Sequence, residues 1–172
     1  MDVFDDWYCR EHPRVLAACA ALTGEVDAAG EATDEAFVRA LERWDAVATM
    51  LSPGGWVQVV ALNHLRRALR RRRRERVLAG SARRGLTGGE FTVEVPDREV
   101  WAVVALLPAR QRTAIVLRYV HDLPEAAIAE LMGVTRGTVA STISAAHAGL
   151  RARLSVTVTT DEPFTDKEAS HG

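Results

Sequence analysis

Ten of the chain's 21 arginines lie between Arg66 and Arg84, opposed by the single acid Glu75. A guanidinium is a planar, permanently charged fork that matches phosphate oxygens. A stripe this dense suits a polyanion, because every phosphate it neutralises releases counterions. Asn63, Arg66, Arg67 and Arg70 recur at steps of three and four, so they share one helical face. Trp56 stands near the start of the same segment. A helix with this make-up grips phosphates and supports an unstacked base. A solvated charge run is the plainer reading, and the lack of balancing acids argues against it.

The rest of the chain is not basic. Residues 1–62 carry a balance of −7, residues 63–84 of +9, residues 85–154 of zero and residues 155–172 of −3, so the net charge of −1 hides a strong asymmetry. The acidic side includes Glu31, Asp34 and Glu35, interleaved with Phe37, Arg39 and Leu41. Such a mixture docks on a basic helical surface, although taken alone it reads first as a solvated helix face.

Other chemistry finds no support. There is no Walker-type phosphate loop, nucleophile elbow, HExxH or CxxC motif. The five histidines are scattered over positions 12, 64, 121, 147 and 171. The expectation is therefore a protein that is not an enzyme, with no cofactor and no metal. Cys9 and Cys19 read as reduced thiols in a helical, apolar context. The opening MDVFDDWY lacks the apolar core of a signal peptide, and no run of about 18 apolar residues occurs. A cytoplasmic location is expected.

Helices must position these groups, since strand signals are scarce. Apolar spacing predicts a helix over 3–23, broken or restarted at Pro13 and ended by Gly24. A second is expected over 31–48, with Phe37, Val38, Leu41, Trp44 and Val47 as its apolar positions. Ser52 and Pro53 form a cap-plus-first-turn pair that opens a third helix running into the arginines. Residues 79–97, rich in glycine and without periodicity, read as a flexible linker between two domains. Helices are expected over 97–107, 109–120, 124–132 and 136–153, and residues 155–172 read as a disordered acidic tail. The fold class is all-α: a domain over 1–78, a linker, and a second domain over 98–154.

The segment PEAAIAELMGVTRGTVASTISAAHAGL, residues 124–150, has helix-turn-helix spacing. Ile128, Leu131, Val134, Val139 and Ile143 are its apolar positions, Ala127 allows close helix approach, Gly133 makes the turn and Thr135 caps the second helix. That second helix would enter a major groove. An ordinary helical hairpin is the alternative.

These three constellations, in this order, resemble the bacterial extracytoplasmic-function (ECF) sigma factors of RNA polymerase, over roughly residues 3–154. The stretches that carry the resemblance are ALTGEVDAAGEATDEAFVRALERW, SPGGWVQVVALNHLRRALRRRRRE and LPARQRTAIVLRYVHDLPEAAIAELMGVTRGTV. The resemblance implies two helical domains, region 2 and region 4, and recruitment of core polymerase to promoters with help in melting them. It implies that Glu31, Asp34, Glu35, Phe37, Arg39 and Leu41 meet the clamp of the polymerase β′ subunit. Val47, Ala48, Thr49, Met50, Leu51 and Ser52 fall at the loop that captures a flipped base of the −10 element. Trp56, Asn63, Arg66, Arg67 and Arg70 fall on the helix beside the melted strand. Arg136, Thr138, Ser141, Thr142 and Ser144 fall on the −35 recognition helix. Implied partners are core RNA polymerase (β′ clamp and β flap), promoter DNA and an anti-sigma factor. The recognition helix departs from the family in carrying Ala140, Thr142 and Ala145 where a Lys or Arg is common. Two other functions fit parts of the chain: a one-component helix-turn-helix regulator, and a sigma-like interaction protein with weakened promoter binding.

Overall fold

The computed structural model describes residues 3–78 and 97–159, with side chains as far as residue 154. The described residues form eight helices: α1 (Val3–Thr23), α2 (Val26–Glu42), α3 (Trp44–Val47), α4 (Pro53–Leu78), α5 (Arg98–Ala105), α6 (Ala109–Tyr119), α7 (Glu125–Met132) and α8 (Arg136–Thr159). No strand occurs among them. Most of the expected linker, residues 79–96, lies outside the described residues. So does the expected tail from residue 160 onward. Residues 155–159, also assigned to that tail, are helical and belong to α8.

Two local expectations are corrected. Pro13 lies inside α1 without ending it. One backbone donor is lost, and packing of Trp7, Val15 and Cys19 on either side of the proline keeps the helix continuous. The second helix begins at Val26, five residues before the expected start, and stops at Glu42. Gly24, at φ +69°, turns the chain sharply enough for α2 to restart at once. Val38 and Leu41, two of its expected apolar positions, are 52% and 57% exposed.

The first domain packs α2 closely against α1 and α4 through small side chains. Ala28, Ala29, Ala32, Ala36 and Ala40 of α2 and Ala61 of α4 are buried. One end is filled by aromatic rings: Phe4 and Trp7 meet Trp44 at centroid distances of 5.0 and 4.8 Å, and Phe37 sits 5.2 Å from Trp7 and 5.1 Å from Tyr8. Each large apolar side chain buried here is worth about 1.5–3 kcal/mol.

The second domain is α5–α8. Leu117, Ile128 and Val139, all essentially inaccessible, form the centre of the helix-turn-helix. Gly133 takes φ +63° after α7, and the Thr138 amide donates to Thr135 Oγ1 at 3.2 Å, so the turn and the cap are as expected.

The two domains pack against each other. Ala18 and Leu22 of α1 share one core with Val104, Leu107, Ile115, Val116 and Ala146. At the centre of the contact lies Gln58, fully buried on α4. Its Nε2 donates to Cys19 Sγ at 3.5 Å, and its Oε1 accepts the Nε2–H of His121 at 3.0 Å. Gly55 lets the domains approach closely: an added Cβ would lie 2.8 Å from Leu131 Cδ1 and 2.9 Å from Leu123 Cδ1, and those side chains would have to shift.

Candidate nucleic-acid interface

The arginine helix starts from a well-made cap. The Gly55 amide donates to Ser52 Oγ at 3.1 Å, and Pro53 occupies the first turn, where its missing N–H costs nothing. From this start α4 carries Asn63, Arg66, Arg67 and Arg70 to an exposed face. None of those three arginines forms an ion pair among the described residues. Others in the run do. Arg72 meets Glu25 at 2.9 Å and Glu31 at 3.4 Å, and Arg71 meets Glu75 at 3.8 Å. Glu25, just before α2, and Glu31 within it thus supply counter-charges that the local sequence lacks, and they divide the run into structural and free cations.

The expected base-capture loop sits directly before α4. Val47 is buried in the first core, whereas Ala48, Thr49 and Leu51 are exposed and Met50, Ser52 and Trp56 are half-buried. Thr49 Oγ1 donates to the Ala46 carbonyl at 2.8 Å, tying the loop to the end of α3. Met50, Leu51, Ser52 and Trp56 line a cavity of about 280 Å³ whose other wall is Ala127, Glu130 and Leu131 of α7. The first helix of the helix-turn-helix therefore stands against the loop and against the Trp56 ring.

On the recognition helix, Arg136, Thr138, Ser141 and Ser144 are exposed and Thr142 is half-buried. Ser141 Oγ and Thr142 Oγ1 donate to the Thr138 carbonyl at 3.0 and 2.6 Å. Thr138 Oγ1 lies 2.9 Å from Thr135 Oγ1. Both donor protons on the second turn are thus spent on the helix itself, and oxygen lone pairs remain for an outside donor.

On α2, Glu31, Asp34, Glu35, Arg39 and Leu41 are exposed. Asp34 Oδ1 is 2.9 Å from His12 Nε2, and Arg39 donates to Glu35 at 3.3 Å. Phe37 does not share this face. It is 2% exposed and packed on Trp7, Tyr8 and His12, so it supports the helix from beneath. Val38, outside the expected set, takes its place beside Asp34 and Leu41. The spacing 34, 38, 41 was available as a signal, but an apolar residue at helical spacing reads first as core.

Sequence reasoning also missed Gln58 and His121. Burial, with the Arg14 charge added, pushes the His121 imidazole down to about 4, so it is neutral near pH 7 with its proton on Nε2. No cluster of His, Cys, Asp or Glu suited to a metal occurs among the described residues.

Residues 7–75 match the family Sigma-70 region 2, and residues 97–148 match Sigma-70, region 4. Together the matches span well over half of the chain, in the order region 2 then region 4. The chain belongs to the sigma-70 family of transcription initiation factors, which are not themselves enzymes. Region 2 followed by region 4 is the composition of the extracytoplasmic-function class, and this chain is an ECF sigma factor. No curated protein matches the sequence. Among solved structures, the fold is similar to that of the sigma factor RpoE of Bartonella quintana, crystallised in complex with the anti-sigma factor NepR. The TM-score is 0.70 at 19% identity, covering 91% of this chain and 99% of that one.

Proposed function

We propose that this chain recruits core RNA polymerase to promoters, recognises −10 and −35 elements and assists melting between them. The observation that carries the reading is the coincidence of family and geometry. The matched region 2 carries an arginine face with no acid partner beside an aromatic-flanked loop, and the matched region 4 carries a capped recognition helix. Region 4 would hold duplex DNA in the major groove. Region 2 would trap an unstacked base, offsetting an unstacking cost of a few kcal/mol per step. The stripe Asp34, Val38 and Leu41, flanked by Glu31, Glu35 and Arg39, suits the β′ clamp, and region 4 the β flap. An anti-sigma factor fits as a further partner, because the similar RpoE structure was solved with one. A cytoplasmic site of action follows from this function, and no helix of the described residues is long and apolar enough to cross a membrane. A one-component regulator leaves the region 2 match without a purpose.

The test is run-off transcription with core polymerase and a promoter library. Template-specific initiation that needs this chain supports the reading. Duplex binding without core-dependent initiation overturns it. So does core binding without initiation, which would mark a sigma-like interaction protein.

A further inference from the structure

A second cavity, of about 320 Å³, opens where α4 passes α6, between the two domains. Arg66, Arg70 and Arg73 line it from α4 and Arg112 from α6, over a floor that includes Leu22, Leu62 and Leu69. No Asp or Glu contributes to its wall. Arg66, Arg70 and Arg73 follow each other at steps of four and three, so the helix stacks like charges that repel one another. Arg112 is half-buried, and burial alone lowers its affinity for a proton. Its Nη2 donates to the Leu107 carbonyl at 3.0 Å, while its buried Nε has no hydrogen-bond partner. A half-buried guanidinium whose inner donor is idle and which has no counter-charge is costly. The cleft is thus built for an anion with an apolar part.

We infer that its occupant is the chain's own acidic segment Asp161–Glu168. That segment reads Asp-Glu-Pro-Phe-Thr-Asp-Lys-Glu, with two acids on each side of Phe164 and a single lysine among them. Its chemistry mirrors the cleft: carboxylates for the guanidiniums and one aromatic ring for the leucine floor. Reach permits the contact. A Cβ on Gly149 of α8 would lie 3.3 Å from Leu107, two residues before Ala109 of the cleft wall. From Gly149 the helix rises to Thr159 by roughly 15 Å. Phe164 lies five residues beyond Thr159, about 17 Å when extended, enough to return to the level of Gly149. Docked there, it covers Arg66 and Arg70 and competes with nucleic acid for them. This competition rests on the reading of α4 as a DNA-binding helix; occupancy of the cleft does not.

The test has two arms. In the full chain, Asp161→Asn, Glu162→Gln, Asp166→Asn and Glu168→Gln with Phe164→Ala should raise affinity for single-stranded DNA about fivefold at low salt. The gain should vanish near 1 M salt, where the Debye length is about 3 Å. Arg112→Gln, outside the DNA-binding helix, should remove most of that gain, because contacting residues couple in a double-mutant cycle. A gain of the same size in the Arg112→Gln background would mean diffuse repulsion and overturn the proposal. In the second arm, a synthetic peptide of residues 160–172 is titrated into the tail-neutralised chain. Binding that is abolished in Arg70→Glu/Arg112→Glu supports cleft docking. If tripolyphosphate binds and the peptide does not, the cleft serves a small anion and the proposal fails. If the peptide binds but DNA affinity is unmoved, docking stands, and the DNA-binding role of α4 is what fails.

Discussion

At the scale of single residues, the structure separates side chains that look alike in sequence. Phe37 and Leu41 both stand at helical spacing on an acidic helix, yet one is 2% and the other 57% exposed. Truncating Phe37 removes ring contacts with Trp7, Tyr8 and His12 and leaves a cavity. Phe37→Ala should therefore cost about 3–5 kcal/mol of stability in denaturant unfolding. Leu41→Ala should cost under about 0.5 kcal/mol, as exposed substitutions do, and should weaken core-polymerase binding together with Glu35→Lys. Equal unfolding midpoints for the Phe37 and Leu41 variants would contradict this division. The hydroxyls of the recognition helix follow a similar logic. Ser141 and Thr142 donate to the Thr138 carbonyl, so in the proposed role they would meet bases as acceptors, for which adenine N6 and cytosine N4 amino groups are the partners. Ser141→Ala should change base preference in a binding selection by about 1–3 kcal/mol at a single position, while the salt slope stays fixed because no charge is removed.

At the scale of elements, α4 does two jobs with one residue type. Arg72, 30% exposed, is held between Glu25 and Glu31, and this pair fastens α4 to the start of α2. Arg72→Gln should lower stability by roughly 1 kcal/mol with little change in DNA affinity. Arg66, Arg67 and Arg70 have no acid partner among the described residues. Replacing all three by Gln should leave the unfolding midpoint nearly unchanged. It should reduce the salt slope for single-stranded DNA by about 0.7 for each phosphate no longer neutralised, or about 2 for the three together. If Arg72→Gln lowers the slope as much as any free arginine does, the division is wrong.

The elements also set what was legible beforehand. The turn and cap of the helix-turn-helix and the Ser52-Pro53 start of α4 depend on residues within four positions of each other, and such pairs show in the order of the residues. The start of α2 did not show. Its buried face is alanine, which gives no apolar signature, and Glu31, Asp34 and Glu35, one turn further on, resembled a first turn. The counter-charges for Arg72 lie 47 and 41 positions away, beyond any local pattern.

At the scale of the whole molecule, the least legible feature is the contact between the domains, and it bears most on function. Helix α7 stands over the loop 50–52 and Trp56, so the proposed engagement of two separated promoter elements requires the domains to part. The contact has a polar centre, Gln58, that answers to Cys19 on one side and His121 on the other. Its oxygen can only accept, so neutral His121 must supply the Nε2–H. Burial and Arg14 hold the imidazole at about 4 in the packed state, against an ordinary value of 6.5. When the domains part, His121 regains water and its ordinary affinity for protons. The opened state therefore binds more protons than the packed state between those two values. The contribution of His121 to packing is complete above about pH 6.5 and is lost as pH falls through about 4. The full shift corresponds to about 3 kcal/mol of differential proton binding. Small-angle scattering of the full chain should show a larger radius of gyration at pH 4.5 than at pH 7.5. His121→Gln carries no titrating group, so its expansion over that interval should be smaller than the parent's. Gln58→Ala, which leaves the imidazole without its acceptor, should expand the molecule already at pH 7.5. A parent and a His121→Gln variant that expand equally on acidification would place the pH response elsewhere. A Gln58→Ala chain as compact as the parent at pH 7.5 would show that the apolar contacts of Leu22, Leu107 and Ile115 hold the domains together without the polar centre.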